Sequence, residues 1–223
     1  MHPKFFIFGD SHAGTLMRAA RTLSLEFAGG SIMAGMYLND TFCAVDSGHL
    51  RMLTKMGRER LAYRLGNDGL GPNLLDIDMP FLCTVGFNTT NFCGNFQNDG
   101  LTILGAPGGR LISRGCFEAV ALASRAGALG FYRALLEAGK TVHAVLSPQR
   151  FSAQQKVVCR AFETVMMRRL GALGVGIVDV RAQTTDEHGV LRPEFASSRD
   201  HVHANDAFGA AVFEKYFAML EEH

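Results

Sequence analysis

The sequence predicts a three-layer α/β/α sandwich around a central parallel sheet of about five strands. Three observations carry that expectation. Short apolar runs stopped by glycine or proline recur along the chain, as at residues 5–8 before Gly9 and 142–146 before Pro148. Most are followed by a stretch with apolar residues at helical spacing, so strand and helix alternate from end to end. The 223 residues are 48% hydrophobic and 19% charged, enough to bury a sizeable core. No internal repeat, low-complexity tract or linker divides them, so residues 1–223 read as a single domain.

The elements follow in order. Residues 5–8 are a buried parallel strand closed by Gly9. Residues 12–24 form a helix, with Ala13, Leu16, Met17, Ala20 and Leu23 on one face. A second strand is expected at 31–36. Residues 39–71 are polar and mixed, with a helix over 48–65 ended by Gly66-Asn67-Asp68-Gly69 and Gly71-Pro72. A third strand spans 80–85 and stops at Gly86. Residues 88–114 are rich in Asn, Gly and Thr with little periodicity. They read as a long loop or insertion, the kind of segment that covers or lines a site. One long helix is expected over 118–138, closed by Gly139. A fourth strand at 142–146 leads to a helix over 152–170 with Ser152 as its N-cap. A fifth strand at 176–180 and a helix over 205–222 complete the chain.

Composition excludes several classes. Lys and Arg number 22 against 21 Asp and Glu, a formal charge of +1, and no basic stripe suits a nucleic-acid partner. The most apolar helical stretch, 118–136, is interrupted by Arg125 and Arg133, so no membrane span is expected. Only four apolar residues precede Gly9, too few for a signal-peptide core. The five cysteines form no CxxC pair. They read as small buried hydrophobes in a reducing compartment, without disulfide framework or zinc site, and the expected location is cytoplasmic. Residues 105–109 are glycine-rich, but no Lys-Ser/Thr follows, so they read as a turn and not a phosphate loop.

In an open parallel sheet, ligands bind beyond the carboxyl ends of the strands. Three polar groups fall at such places. Gly9-Asp10-Ser11-His12 follows the first strand. A serine in such a turn exposes its hydroxyl and has its own N–H at a helix N-terminus, which suits a nucleophile whose amide stabilises an oxyanion. Gly86-Phe87-Asn88 follows the third strand, and the Asn88 amide is a candidate second oxyanion donor. Asp200-His201-Val202-His203 precedes the last helix. An Asp three residues before a His can hold Nδ1–H and leave Nε2 free as a base. Singly these are an Asx-turn, a loop Asn and a common spacing. Their joint occurrence in the order Ser, Asn, Asp…His carries the functional expectation.

These residues resemble the blocks of the SGNH/GDSL hydrolase superfamily. Phe8-Gly9-Asp10-Ser11 matches the first block, Gly86-Phe87-Asn88 the third, and Asp200 with His203 the last. Gly35 is the candidate for the second-block glycine, with Gly30 next. Gly9-Asp10-Ser11-His12-Ala13 and Ser147-Pro148-Gln149-Arg150 are similar to a subset linked to polysaccharide-modifying esterases and acyltransferase-associated domains. Thr89 departs from the pattern, standing where many members have Asp. The resemblance implies a flavodoxin-like SGNH fold and hydrolysis of a small acyl ester on a carbohydrate or similar alcohol, with no cofactor. Ser11 is then the nucleophile, His203 the base and Asp200 its orienting partner. Ser11 N–H, Gly35 N–H and Asn88 form the oxyanion hole. An O-acyltransferase and a non-catalytic carbohydrate- or protein-binding module remain as alternatives.

Nearby residues each keep two readings. His12 either shapes the pocket beside Ser11 or caps the first helix. Arg150 is either a solvated charge or a contact to an anionic or sugar substrate. His201 is an exposed loop residue or a substrate hydrogen-bond partner. Phe87, Phe92 and Phe96 either pack the core or line an acyl or sugar pocket. Asp10 accepts turn N–H bonds. His12, His201 and His203 lack a firm third ligand in common, so no metal is expected.

Overall fold

Residues 4–38, 42–103 and 109–222 are described in the structure, a computed structural model. In chain order its elements are β1 (Phe5–Gly9), α1 (Ser11–Thr22), β2 (Phe27–Ser31), β3 (Cys43–Asp46), β4 (His49–Met52), α2 (Lys55–Asn67), β5 (Phe81–Cys83), α3 (Thr89–Asn98), β6 (Leu101–Thr102), β7 (Arg110–Leu111), α4 (Arg114–Ala123), α5 (Ala126–Glu137), β8 (Val142–Val145), α6 (Ala153–Leu173), β9 (Gly176–Val178), α7 (Arg181–Thr184) and α8 (Asp206–Glu221). Short 3₁₀ turns at Gly35–Tyr37, Leu74–Asp76 and Pro193–Phe195 join some of them.

β1 explains the layering. Its side chains alternate between two cores, because successive residues of a strand point to opposite faces. Phe5 and Ile7 join Leu16 and Ala20 of α1 and Val212, Phe213 and Tyr216 of α8. Phe6 and Phe8 join Leu61 and Leu65 of α2, Phe131 and Leu135 of α5, and Phe162 and Met166 of α6. All four β1 side chains are fully buried, each stabilising by ~1.5–3 kcal/mol through removal from water. The sheet runs β2-β1-β5-β8-β9, every pair parallel. The chain leaves β1 toward β2 on one side and returns to β5 on the other. The crevice where that order reverses lies at the carboxyl ends of β1 and β5, the position where such sheets bind ligands.

Several segments differ from the sequence expectation. The second strand lies at Phe27–Ser31, ahead of the expected 31–36. Its pair Gly29-Gly30 takes positive φ (81° and 138°), and a Cβ on Gly29 would sit 2.3 Å from the Ile7 carbonyl oxygen. Two glycines mask the strand by propensity while permitting its close approach to β1. The expected helix over 48–65 begins only at Lys55, because β3 and β4 form an antiparallel hairpin. Its two turn residues, Ser47 (φ 50°) and Gly48 (φ 75°), both adopt the left-handed region that a tight hairpin favours.

The segment 88–114 is not one loop: α3 and the short parallel pair β6 and β7 occupy much of it, and residues 104–108, with most of the glycine-rich turn, lie outside the described residues. The single helix expected over 118–138 is two, α4 and α5, broken at Ser124 and Arg125. Arg125 is buried there, its guanidinium donating to the Ser124 and Asn88 carbonyls and lying 5.0 Å from the Phe162 ring centroid. Gly139 closes α5 with φ 72° and Ser152 caps α6 in a capping box with Gln155, both as expected. The cysteine reading is corrected as well. Cys93 of α3 is disulfide-bonded to Cys159 of α6 (Cα–Cα 6.0 Å), while Cys43, Cys83 and Cys116 are free thiols. The cysteines therefore give no support to a reducing compartment.

Candidate active site

The turn after β1 is fixed before any chemistry is considered. Asp10 is the N-cap of α1, accepting from the His12 N–H at 2.9 Å. Thr84, at the end of β5, donates its hydroxyl to Asp10 Oδ1 (2.8 Å) and accepts from the Asp10 N–H (3.1 Å). This reciprocal pair locks the first turn to the neighbouring strand. Gly9 permits it: a Cβ there would lie 2.0 Å from Thr84 Oγ1. Ser11 is then the first residue of α1 and exposed. Its N–H is one of those a helix cannot satisfy internally, so it remains available to a ligand.

Opposite Ser11 stands the loop ahead of α8. His203 Nε2 is 2.8 Å from Ser11 Oγ, and His203 Nδ1 is 3.1 Å from Asp200 Oδ2. The other carboxylate oxygen, Asp200 Oδ1, accepts from the His203 N–H (2.7 Å) and the Val202 N–H (2.8 Å). Those backbone donors, that of His203 foremost, hold the Asp200 carboxyl well below the usual carboxylate range. An ionised carboxylate in contact with Nδ1 favours the tautomer protonated there, in which Nε2 can accept from a hydroxyl.

Asn88 and Gly35 meet on the other flank. Asn88 Oδ1 accepts from the Asn91 N–H at 3.4 Å, and the Asn88 carbonyl accepts from Arg125 at 2.9 Å. A Cβ on Gly35 would lie 1.9 Å from Asn88 Nδ2 and 2.9 Å from Asp10 Oδ2. Gly35 thus sits against both the Asn88 amide and the turn that bears Asp10 and Ser11. Gly30 instead faces Met17 and Arg64, away from these groups.

No protein-family model matches the chain, and no curated protein matches it. Solved structures do. A lipase from a goat rumen metagenome superposes with a TM-score of 0.57 at 12% identity, covering 97% of this chain and 96% of that one. A protein from Slackia heliotrinireducens described as an SGNH hydrolase gives 0.51 at 12% identity, covering 99% and 100%. A protein from Streptococcus pneumonia described as a platelet activating factor gives 0.53 at 13% identity, covering 97% and 85%. The chain has the SGNH-hydrolase fold.

Within this SGNH fold the remaining sequence candidates take definite places. The His12 ring lies 5.0 Å from the His203 ring, tilted by 52°, so His12 sits beside His203 and does not cap the helix, a task Asp10 performs. Burial lowers the His12 pKa, which favours the neutral ring beside His203. Phe87 is fully buried and its ring packs in the core. Its carbonyl takes hydrogen bonds from Ser147 Oγ (2.5 Å) and the Thr89 N–H (2.7 Å). Thr89, buried, opens α3. His201 is exposed.

Arg150 is not a free surface charge, because its guanidinium is engaged with the loop that bears His203. Its Nη1 donates to the carbonyls of Ser197 (3.2 Å), Asp200 (2.8 Å) and His203 (2.6 Å). Phe92 and Phe96 pack in the core and stand at the edge of a cavity of about 430 Å³ that Gly35, Asn91, Asn95 and Arg125 line. Thr84 and Arg125 are site-shaping residues that sequence reasoning missed. The signal for Thr84 was faint: a polar residue just ahead of the third block, where a buried strand ends. Among the described residues no helix is long and apolar enough to cross a membrane.

Proposed function

We propose that this protein is a serine ester hydrolase that cleaves acyl esters through Ser11, His203 and Asp200. The observation that carries the reading is the line of contacts from Ser11 Oγ to His203 Nε2 (2.8 Å) and from His203 Nδ1 to Asp200 Oδ2 (3.1 Å). Ser11 Oγ attacks the ester carbonyl carbon while His203 Nε2 takes the hydroxyl proton. The carbonyl oxygen gains negative charge, which the Ser11 N–H, the Gly35 N–H and Asn88 Nδ2 receive. The C–O bond then breaks and the leaving alcohol takes the proton from Nε2. A water repeats the sequence on the acyl-serine, releasing the acid and restoring the hydroxyl. Asp200 stabilises the imidazolium at both stages without taking its proton.

The substrate we favour carries a small acyl group on a carbohydrate or similar polyol. The cavity beside Gly35 supports this, because Asn91, Asn95, Asp99 and Ser124 supply hydroxyl-binding groups between Phe92 and Phe96. The test is hydrolysis of p-nitrophenyl acetate and of acetylated sugars by the wild type and by Ser11→Ala, with fluorophosphonate labelling of both. Equal rates in the two proteins would remove Ser11 as the nucleophile. A folded wild type that neither hydrolyses nor takes the label would point to a binding module.

A further inference from the structure

The two halves of the site are held by one short turn. Residues 147–150 leave β8 and enter α6, and each polar side chain in that turn reaches a different part of the molecule. Ser147 Oγ donates to the Phe87 carbonyl at 2.5 Å, one residue before Asn88. Arg150 Nη1 donates to three carbonyls of the loop that bears Asp200 and His203. Between them, Gln149 is buried and its Nε2 donates to the Ser147 carbonyl (3.0 Å) and to Glu163 Oε1 (2.7 Å). Glu163 is itself fully buried on α6, with Arg181 Nη1 at 3.5 Å from its other oxygen. The Gln149 carbonyl accepts from the Leu191 N–H at 3.0 Å.

We propose that the 147–150 turn is a clamp that positions the oxyanion side and the acid–base side of the site relative to each other, with Arg150 as the positioning residue for His203. The proposal rests on the esterase reading for its catalytic consequence. The physical argument lies in the shape of the 196–204 loop. Ala196 and Ala204 form an isolated bridge, and the Ser197 N–H donates to the His203 carbonyl. The intervening residues have no such ladder, and Asp200 is exposed. Carbonyls 197, 200 and 203 nevertheless converge on one guanidinium nitrogen, and charge-assisted bonds of this kind are about twice as strong as neutral ones. Held there, the loop presents Nε2 to Ser11. Released, it leaves the Ser11–His203 contact to a flexible segment, and misplacement by about 1 Å costs on the order of 100-fold in rate.

The experiment compares Arg150→Met, Arg150→Lys and Ser147→Ala. Arg150→Met keeps the bulk and loses every donor. It should lower kcat by about 10- to 100-fold with KM little changed. Arg150→Lys, whose ammonium has three donors for the three carbonyls, should recover most of that loss. Ser147→Ala should lower kcat through the Asn88 side. Amide hydrogen exchange supplies a readout independent of turnover. In Arg150→Met the Val202 and His203 amides, which bond Asp200 Oδ1, should exchange at least about tenfold faster while those of β1 and β5 keep their protection.

Three results would overturn the proposal: a rise in KM alone, which makes Arg150 a substrate contact; unchanged exchange at 202 and 203; or a uniform loss of protection with no rescue by lysine, which makes it a general stabiliser. If Arg150→Met does not fold, Arg150→Gln reads the same loop. If the wild type hydrolyses no ester, the esterase reading fails by itself, and the exchange comparison still decides the clamp.

Discussion

Asn88 and Gly35 occupy adjoining space so closely that a Cβ at position 35 would fall 1.9 Å from Asn88 Nδ2. The glycine is needed for room and not for its backbone angles, since its φ is not in the left-handed region. Gly35→Ala should therefore push the Asn88 amide out of place. Asn88→Ala should lower kcat by about 10²- to 10³-fold, the usual cost of one oxyanion donor. Gly35→Ala should match that loss, and the double variant should fall well short of the product of the two. A double-mutant cycle on kcat measures the coupling, and additive losses would contradict it.

Ser11→Ala should reduce ester hydrolysis by about 10⁴-fold or more and abolish fluorophosphonate labelling. Because Ser11 is exposed and, among the described residues, its hydroxyl bonds only His203, the melting temperature should stay within a few degrees of wild type. Rate and melting curve together separate a lost nucleophile from a lost fold.

Glu163 gives a pH dependence of stability. Burial pushes its carboxyl up to about 7, against the opposing pull of the Gln149 hydrogen bond and the Arg181 charge. The folded state thus binds this proton more tightly than the unfolded state, whose glutamate titrates near 4.5. The stabilising contribution is full below that value and is lost as pH rises through about 7. Glu163→Gln should remove the dependence. Thermal melts of both proteins from pH 5 to 9 should show wild type losing ground to the variant as pH rises, by a difference on the order of 3 kcal/mol. A constant difference would refute the assignment.

α8 meets α1 at a glycine. A Cβ on Gly209 would sit 2.4 Å from Ala19 Cβ and 3.3 Å from the Thr15 carbonyl oxygen. Gly209→Ala must separate the helices, at a cost of about 1–3 kcal/mol for over-packing, even though alanine favours a helix. Since Thr15 Oγ1 donates to the Ala204 carbonyl beside His203, the same change should also lower kcat. Chemical denaturation and turnover on one preparation test both effects.

The parts of the molecule legible in sequence were those written in local signals. β1, β5 and β8 are apolar runs, and Asp10, Ser152 and Asn205 cap helices as short polar side chains do. Ser11, Asn88, Asp200 and His203 sit at sheet ends that this alternation exposes. What escaped depended on partners distant in the chain. Gly29-Gly30 reads as a break until the Ile7 carbonyl and the Phe6 ring show why no side chain fits. The helix break at Ser124 and Arg125 follows from an arginine turned inward to a carbonyl 37 residues away. Arg150 read as either a solvated charge or a substrate contact because nothing near it in sequence reveals the carbonyls it serves, 47 to 53 residues later.

Ser11 and His203 are separated by 192 residues, and the Arg18–Asp206 contact between α1 and α8 spans 188. Closing so large a loop is among the slow events of folding. During synthesis the serine turn emerges early, and β1 can pair with β2 and β5 while the imidazole is still untranslated. On the esterase reading proposed above, a nascent chain carries an ordinary hydroxyl at Ser11 until the loop ahead of α8 brings His203 to it, so fluorophosphonate labelling at Ser11 should appear only late in folding.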